Sequence, residues 1–497
     1  MMVLDWLRDV SNVKYMCLVI VLYLSLSIPL LLTWPPPMID EALFGSTAKT
    51  LIDDGHVGTS LVRGLESHAY WQPPLYFLAL VPAIEIGGYD LMTLRIFSVL
   101  VGGGVILLIF VLALGVSDSA AAKLAALLLA CDPHFVNNVK FVRMDGLCML
   151  FVLIALAVLF KPTFESKAAN GLLAGIVSAI AAFTHPFGMV AVVVLALWIL
   201  WDSSISLRER LTGIALFLSP LLLGTILWGL WIIQDIPGFT EQLSYQIARK
   251  DRSLLLTIVN TIKQYRNVPL ALALPLVSLG FVLPRAIRKR GKLGLLALLL
   301  GATIVVVVPK FEIPYHVYIA PFGAMVSAVL LVESWEIESR MKRGMVVFCI
   351  GAWLLNGLLV FCYLNLTFHS WLAGEADYDD FCREVSTHLP AGAKVCGWGT
   401  PCIYWGLNKE REDVQFRDKA FIDSAKANDL VREIGYVVLS RGFTPEEDEV
   451  GLKTQRDAIS TLCSMNHRQL MSIATIGKQS KYAYSAEIYQ VVSLADQ

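Results

Sequence analysis

The stretch WPPPMIDEALFGSTAKTLIDDGH, residues 34–56, decides how the chain is read. It follows an apolar run, Tyr15 to Trp34, long enough to cross a bilayer. Three prolines come next, and then Asp40 and Glu41 stand side by side. Leu43, Phe44, Ala48, Leu51 and Ile52 recur at helical spacing, and Gly55 sits where a helix would stop. The pattern predicts an amphipathic helix along a membrane surface. The carboxylate pair would lie at its N-terminal end, at the boundary between water and lipid.

The whole chain supports a membrane setting. Only 16% of its 497 residues are charged, where soluble domains run near a quarter, and the mean hydropathy is +0.63. The fold expected is an α-helical polytopic membrane protein of about eleven spans with a C-terminal α/β domain. The spans fall near residues 15–34, 92–115, 119–137, 146–161, 169–184, 188–201, 211–233, 268–284, 293–308, 315–332 and 345–366. The first lacks a small-residue cleavage site and reads as an uncleaved span. Residues 73–88 are too briefly apolar to cross, with Pro82 and Glu85 interrupting them, and read as an interfacial helix. The runs LRER (207–210), RAIRKRGK (285–292) and SRMKRG (339–344) mark cytoplasmic loops. The N-terminus is then cytoplasmic, and residues 35–91 and the C-terminal segment lie outside. A net charge of −1 gives no reason to expect a nucleic-acid partner.

Other outer connections bring polar groups to the level of Asp40. They carry Lys140, Arg143 and Asp145 in NNVKFVRMDG, His185 in THPFG, and Arg249, Lys250 and Arg252 in QIARKDR. Lys310, Glu312, Tyr315 and His316 stand in PKFEIPYHVYIAP, and His68, Tyr70, Trp71 and Gln72 in HAYWQPP. Outer basic residues run against the positive-inside tendency, and a lipid phosphate would account for them. A hydroxyl attacking a sugar carbon needs a base, which a carboxylate can be. A lipid-phosphate leaving group needs cations or a metal to hold its charge. Asp40 would be the base, and a single displacement would invert the anomeric carbon. The spacing fixes no metal ligand set, so a divalent ion stays an open alternative. Plainer roles stand beside these: helix N-cap for Asp40, dipole partner for Glu41, ion pair with Arg143 for Asp145, turn or packing residue for His185 and His316, and solvated loop for QIARKDR.

The ordered set IDEALFGSTAKTLIDDG, YWQPPLYFLALVPAIEIGG, LRIFSVLVGG, VRMDGLCMLF, AAFTHPFG and PKFEIPYHVYIAPF spans roughly residues 15–330. It resembles the GT-C superfamily of integral-membrane glycosyltransferases. The nearest group is the glycosyltransferase 39 type, which holds the protein O-mannosyltransferases and aminoarabinose transferases. The resemblance implies a polyprenyl-phosphate-linked sugar donor, a lipid, glycan or protein acceptor, and a site on the outer leaflet, or on the lumenal face in eukaryotes; a bacterial inner membrane is the expected location. Asp40, beside Glu41, matches the family's catalytic aspartate, Asp145 its second-loop acid and Lys310 its late basic residue. Arg143, Arg249, Arg252 and His68 would help to hold donor phosphate. Tyr70, Gln72, His185, Tyr315 and His316 would line the substrate pocket. Gln72 and His185 stand where the family often has lysine, so two positive charges are missing. On this reading Asp40 and Asp145 converge at one outward cavity.

Residues 1–366 would form the membrane domain and 367–497 the outer α/β domain. In the latter, 378–389 reads as a helix, 390–399 turns into a strand, 428–440 repeats helix and strand, and 482–494 ends as a strand. The segment has no Gly-rich phosphate loop. Its four cysteines, Cys382, Cys396, Cys402 and Cys463, are either one or two disulfides or buried thiols. The competing readings are a transporter or lipid flippase, or a non-catalytic envelope-assembly protein. Against transport, charges are sparse inside the spans and inverted repeats are not evident.

Overall fold

The computed structural model describes residues 7, 9–29, 31, 39–59, 61, 65–70, 72–201, 206–249, 259, 261–262, 265, 269–289, 291–307, 313–336, 340–372, 384–398, 415–418, 434–441, 456–457, 459–461, 463–476 and 485–493. The chain divides into two compact units. The first comprises 1–29, 70–76 and 96–364, and the second 30–69, 77–95 and 365–497.

The first unit is helical. Its elements are α1 (Asn12–Ser27), most of α4 (Leu91–Leu114), α5 (Ser119–Ala130), α6 (Pro133–Asn138), α7 (Met144–Phe160), α8 (Lys167–Thr184), α9 (Gly188–Trp201), α10 (Leu207–Ile232), α11 (Ile236–Arg249), α12 (Leu270–Lys289), α13 (Lys292–Val307), α14 (His316–Glu336) and most of α15 (Arg340–Leu372). In the second unit, α2 (Ile39–Asp54) and α3 (Leu75–Gly87, most of it) precede the sheet. By length and composition, five described helices can cross a membrane: Leu91–Leu114, Lys167–Thr184, Leu207–Ser244, His316–Trp335 and Gly344–Cys362. Seven more are apolar but shorter.

Most span expectations fall within a few residues of these helices, and two need correction. The run 119–137 is two helices, because Asp132 ends the first and starts the second. Its carboxylate accepts the Phe135 amide at 2.9 Å, and Pro133 takes the first helical position. The helix of the first span ends at Ser27: Ile28 keeps helical dihedrals and donates its amide to Leu24, Pro29 follows with no amide hydrogen to continue the ladder, and residues 30 and 32–34 lie outside the described residues. LRER lies inside α10, where Ser206 and Glu209 form a reciprocal capping box.

Buried polar tips in this unit find backbone partners. Tyr23 donates to the Val99 carbonyl at 3.0 Å, and Trp353 to Leu128 at 3.0 Å. Buried Lys123 donates to the carbonyls of Leu7 and Val10. In an apolar surrounding each such group would otherwise cost the energy of its lost hydration. α8 and α10 approach closely at Gly175, where a Cβ would stand 2.2 Å from the Phe217 carbonyl oxygen.

In the second unit, α2 ends as the sequence expects: Gly55 adopts φ +74°, a left-handed stop that favours glycine. The C-terminal sheet holds β1 (Lys394–Trp398), β2 (Gln415–Asp418), β3 (Tyr436–Arg441), β4 (Arg468–Ile476) and β5 (Ser485–Ser493), in the order β2-β1-β3-β5-β4. β1 pairs in parallel with β2 and β3, and β5 pairs antiparallel with β3 and β4, so the sheet is mixed. Cys396, Val437, Leu439, Ile459, Cys463 and Tyr489 form its core. Strands β2 and β4 were not expected from the pattern of residues. Of the expected helix 378–389, residues 384–387 are described and are helical, while the helical part expected ahead of the strand in 428–440 lies outside the described residues up to 433. Cys396 and Cys463 are free buried thiols, while Cys382 and Cys402 lie outside the described residues.

Two measurements test this packing. Gly175→Leu should lower the melting temperature through a clash of about 1–3 kcal/mol or more, with the backbone of α10 as the obstacle. Burial pushes the Cys463 thiol up to about 11. Iodoacetamide at pH 8 should therefore modify Cys463 at least about tenfold faster after the domain is unfolded, read by peptide mass spectrometry.

Candidate active site

The acidic pair of α2 divides its labour. Glu41 is fully buried against fully buried Arg95, from the first turn of α4. Arg95 Nε donates to Oε1 at 2.8 Å and Nη2 to Oε2 at 2.7 Å. Its remaining terminal nitrogen donates to the Leu31 carbonyl at 2.6 Å. This two-pronged pairing is the geometry that guanidinium and carboxylate favour. Asp40, one residue earlier and so about 100° around the helix, is only half buried. Glu41 anchors the helix start, and Asp40 is the more accessible acid. Asp40 belongs to the second unit and Asp145 to the first, so each is described within its own.

In the first unit a second cluster forms where three connections meet. Arg143 precedes α7 in extended conformation, and Asp145 occupies the first turn of that helix, where its dipole favours a carboxylate. Arg143 Nε donates to Asp145 Oδ2 at 2.9 Å, both groups being buried. Asp145 Oδ1 is buried and makes no well-formed hydrogen bond among the described residues, with the Tyr318 hydroxyl as its neighbour. The Arg143 guanidinium lies 5.8 Å from the centre of the Tyr315 ring. His185, in the turn between α8 and α9, stacks on Tyr318 at 5.7 Å and accepts the Phe187 amide at Nδ1, 3.2 Å away. The structure thus brings together Arg143, Asp145, His185 and Tyr315, and adds Tyr318, which the sequence reading missed. Its signal was available: Tyr318 falls three residues after Tyr315, on the same helical face.

His316 turns to a different cluster. Its Nε2 meets Asp132 Oδ2 at 2.9 Å, and its Nδ1 meets the Tyr265 hydroxyl at 2.6 Å. The His134 ring packs edge-on against both the His316 and Tyr265 rings. Asp132 is buried, and the His316 ring and the Phe135 amide both engage its carboxylate. Asp132 and Tyr265 escaped the sequence reading because nothing in their spacing pairs them with a residue so far along the chain.

The remaining candidates are described each within its own unit. Tyr70 is buried with its ring 4.7 Å from that of Trp231. Gln72 is half buried, and its amide oxygen has no hydrogen-bond partner among the described residues. His68 is half buried 6.4 Å from the ring of His56. Arg249 ends α11, but its side chain, like the whole of Lys310 and Arg252, lies outside the described residues. Among the described residues no group of three or more His, Cys, Asp or Glu side chains could hold a metal ion.

Comparisons with known proteins agree with this architecture. ArnT from Cupriavidus metallidurans in the apo state aligns with a TM-score of 0.58 at 14% identity, covering 96% of this chain and 97% of that one. The chain has the GT-C fold. ArnT bound to undecaprenyl phosphate aligns over the same shares with a TM-score of 0.55 at 12% identity. The Archaeoglobus fulgidus oligosaccharyltransferase tethered to an acceptor peptide aligns with a TM-score of 0.59 at 10% identity, over 97% of this chain and 74% of that one. Residues 71–228, roughly a third of the chain, match the family model described as dolichyl-phosphate-mannose-protein mannosyltransferase. Both findings bear out the GT-C resemblance of glycosyltransferase 39 type, and with its apolar helices the chain is an integral membrane protein. Among curated proteins none matches it by sequence.

The Glu41–Arg95 pair makes a sharp stability test. Arg95→Met alone strands a buried carboxylate and should cost about 3–5 kcal/mol, whereas Arg95→Met with Glu41→Leu should recover much of that loss. Thermal melts of the detergent-purified protein distinguish the two.

Proposed function

We propose that the chain transfers a sugar from a polyprenyl-phosphate carrier to a hydroxyl on a lipid, glycan or protein. The observation that carries this reading is the Arg143–Asp145 cluster on a GT-C fold. There a buried carboxylate, half engaged by arginine, sits with His185, Tyr315 and Tyr318 at one end of the helical unit. In the proposed reaction Asp40 takes the proton of the acceptor hydroxyl, whose oxygen bonds to the anomeric carbon as the bond to the carrier phosphate breaks. The carrier departs as a phosphate anion, so no proton need be supplied to it. Arg143, with Lys310, Arg249, Arg252 and His68, would hold that anion. Attack from the opposite side inverts the anomeric centre. Asp145 holds Arg143 in orientation, and a bound divalent ion is the alternative holder of the leaving charge. The reaction would run at the outer face of a bacterial inner membrane, with the N-terminus inside.

Mass spectrometry of lipids, glycans and proteins from cells with and without the chain identifies the sugar and its acceptor together. With that pair in hand, Asp40→Asn should lower transfer by about 10²–10⁴-fold, the usual worth of a general base, while the melting temperature stays near that of the parent. Undiminished transfer removes Asp40 from the mechanism. A cell-wide profile unchanged by loss of the chain favours a non-catalytic role.

A further inference from the structure

The end of the first unit away from Asp145 and His185 holds a second built cavity. α7 runs from Asp145 to Phe160 and α8 returns from Lys167 to Thr184, so a helix length of about 25 Å separates the two ends. The cavity measures about 1030 Å³, and its walls come from the end of α7, the turn 161–166 and the starts of α8, α10 and α13. Asn170 holds that turn in shape. Its amide oxygen accepts from the Thr163 and Phe164 amides at 2.8 and 3.0 Å, and its nitrogen donates to the Phe164 and Ser166 carbonyls at 2.6 and 2.9 Å.

The lining is divided by polarity. Lys167, Arg208 and Lys292 provide positive charge against Glu165 and Glu209, and Glu209 is already engaged by Ser206 and draws on the field of Lys167. Lys292 bridges the Phe160 and Gly115 carbonyls at 3.0 and 3.4 Å, which fixes its ammonium at the wall. Leu216, Leu295 and Trp198 are apolar. Trp198 also lines a second space of about 860 Å³, an almost wholly apolar groove between α9, α12 and α13. Along α13 that groove runs from Ala297 to Val305, about 12 Å along the helix axis away from Lys292.

We propose that these two spaces, which share Trp198 as a wall, bind one anionic phospholipid, its phosphate in the basic cavity and an acyl chain along the groove past Trp198. Three cations against two glutamates, one of them already engaged by Ser206, leave the lining net positive and favour a negative head group, and the groove favours a lipid over a free anion. The site is separate from the reaction centre and does not depend on the reaction assigned to it.

The test uses the full-length protein, stripped of lipid in detergent and melted with added dioleoyl-phosphatidylglycerol, dioleoyl-phosphatidylcholine or inorganic phosphate. The phosphatidylglycerol should raise the melting temperature by several degrees, and the other two should leave it in place. Lys167→Gln with Arg208→Gln should weaken the phosphatidylglycerol response about tenfold. Gly301→Phe, which fills the groove beside Leu279, should weaken it independently. An equal shift with phosphatidylcholine, a full shift with phosphate alone, or an undiminished response in the charge variant would each overturn the proposal.

Discussion

Hydrocarbon offers no hydrogen bonds, so every helix of this chain must begin and end with partners it brings itself. The described helix ends follow that constraint closely. Asp118, Asp132, Ser166 and Ser206 accept the first free amides of α5, α6, α8 and α10. Lys123 and Lys292 collect carbonyls from other segments. Arg95 holds both Glu41 and the Leu31 carbonyl. Among the described residues, Lys123, Arg95, Glu41 and Lys292 are thereby spent on architecture.

That economy frames the functional groups. Glu41 gives both oxygens to Arg95, which leaves Asp40 as the member of the pair with exposed surface. Asp145 gives one oxygen to Arg143 and keeps the other beside Tyr318. The cluster around it draws on α7, the turn before α9 and the start of α14, so no single connection could shift without disturbing the rest.

Much of the helical plan was legible because a span is a matter of length and apolarity, which a sequence displays directly. The α2 stop at Gly55 was equally plain, since a left-handed residue after an apolar periodicity is a local signal. The misses were non-local or masked by composition. The break at Asp132 hid inside an apolar run because one capping carboxylate changes hydropathy very little. The Glu41–Arg95 pair joins residues far apart in the chain, and no period connects them. His316 was read as part of the same pocket as its neighbour Tyr315, yet adjacent residues on a helix point about 100° apart. β2 is only four residues long, too short to show an alternation.

The chain of contacts from Asp132 through His316 to Tyr265 has a mechanical consequence. Tyr265 belongs to the long connection between α11 and α12, while His316 opens α14 directly after Tyr315. The histidine works as a tether: through one ring it ties Tyr265 and Asp132 to the start of α14, next to the Tyr315 ring that faces Arg143.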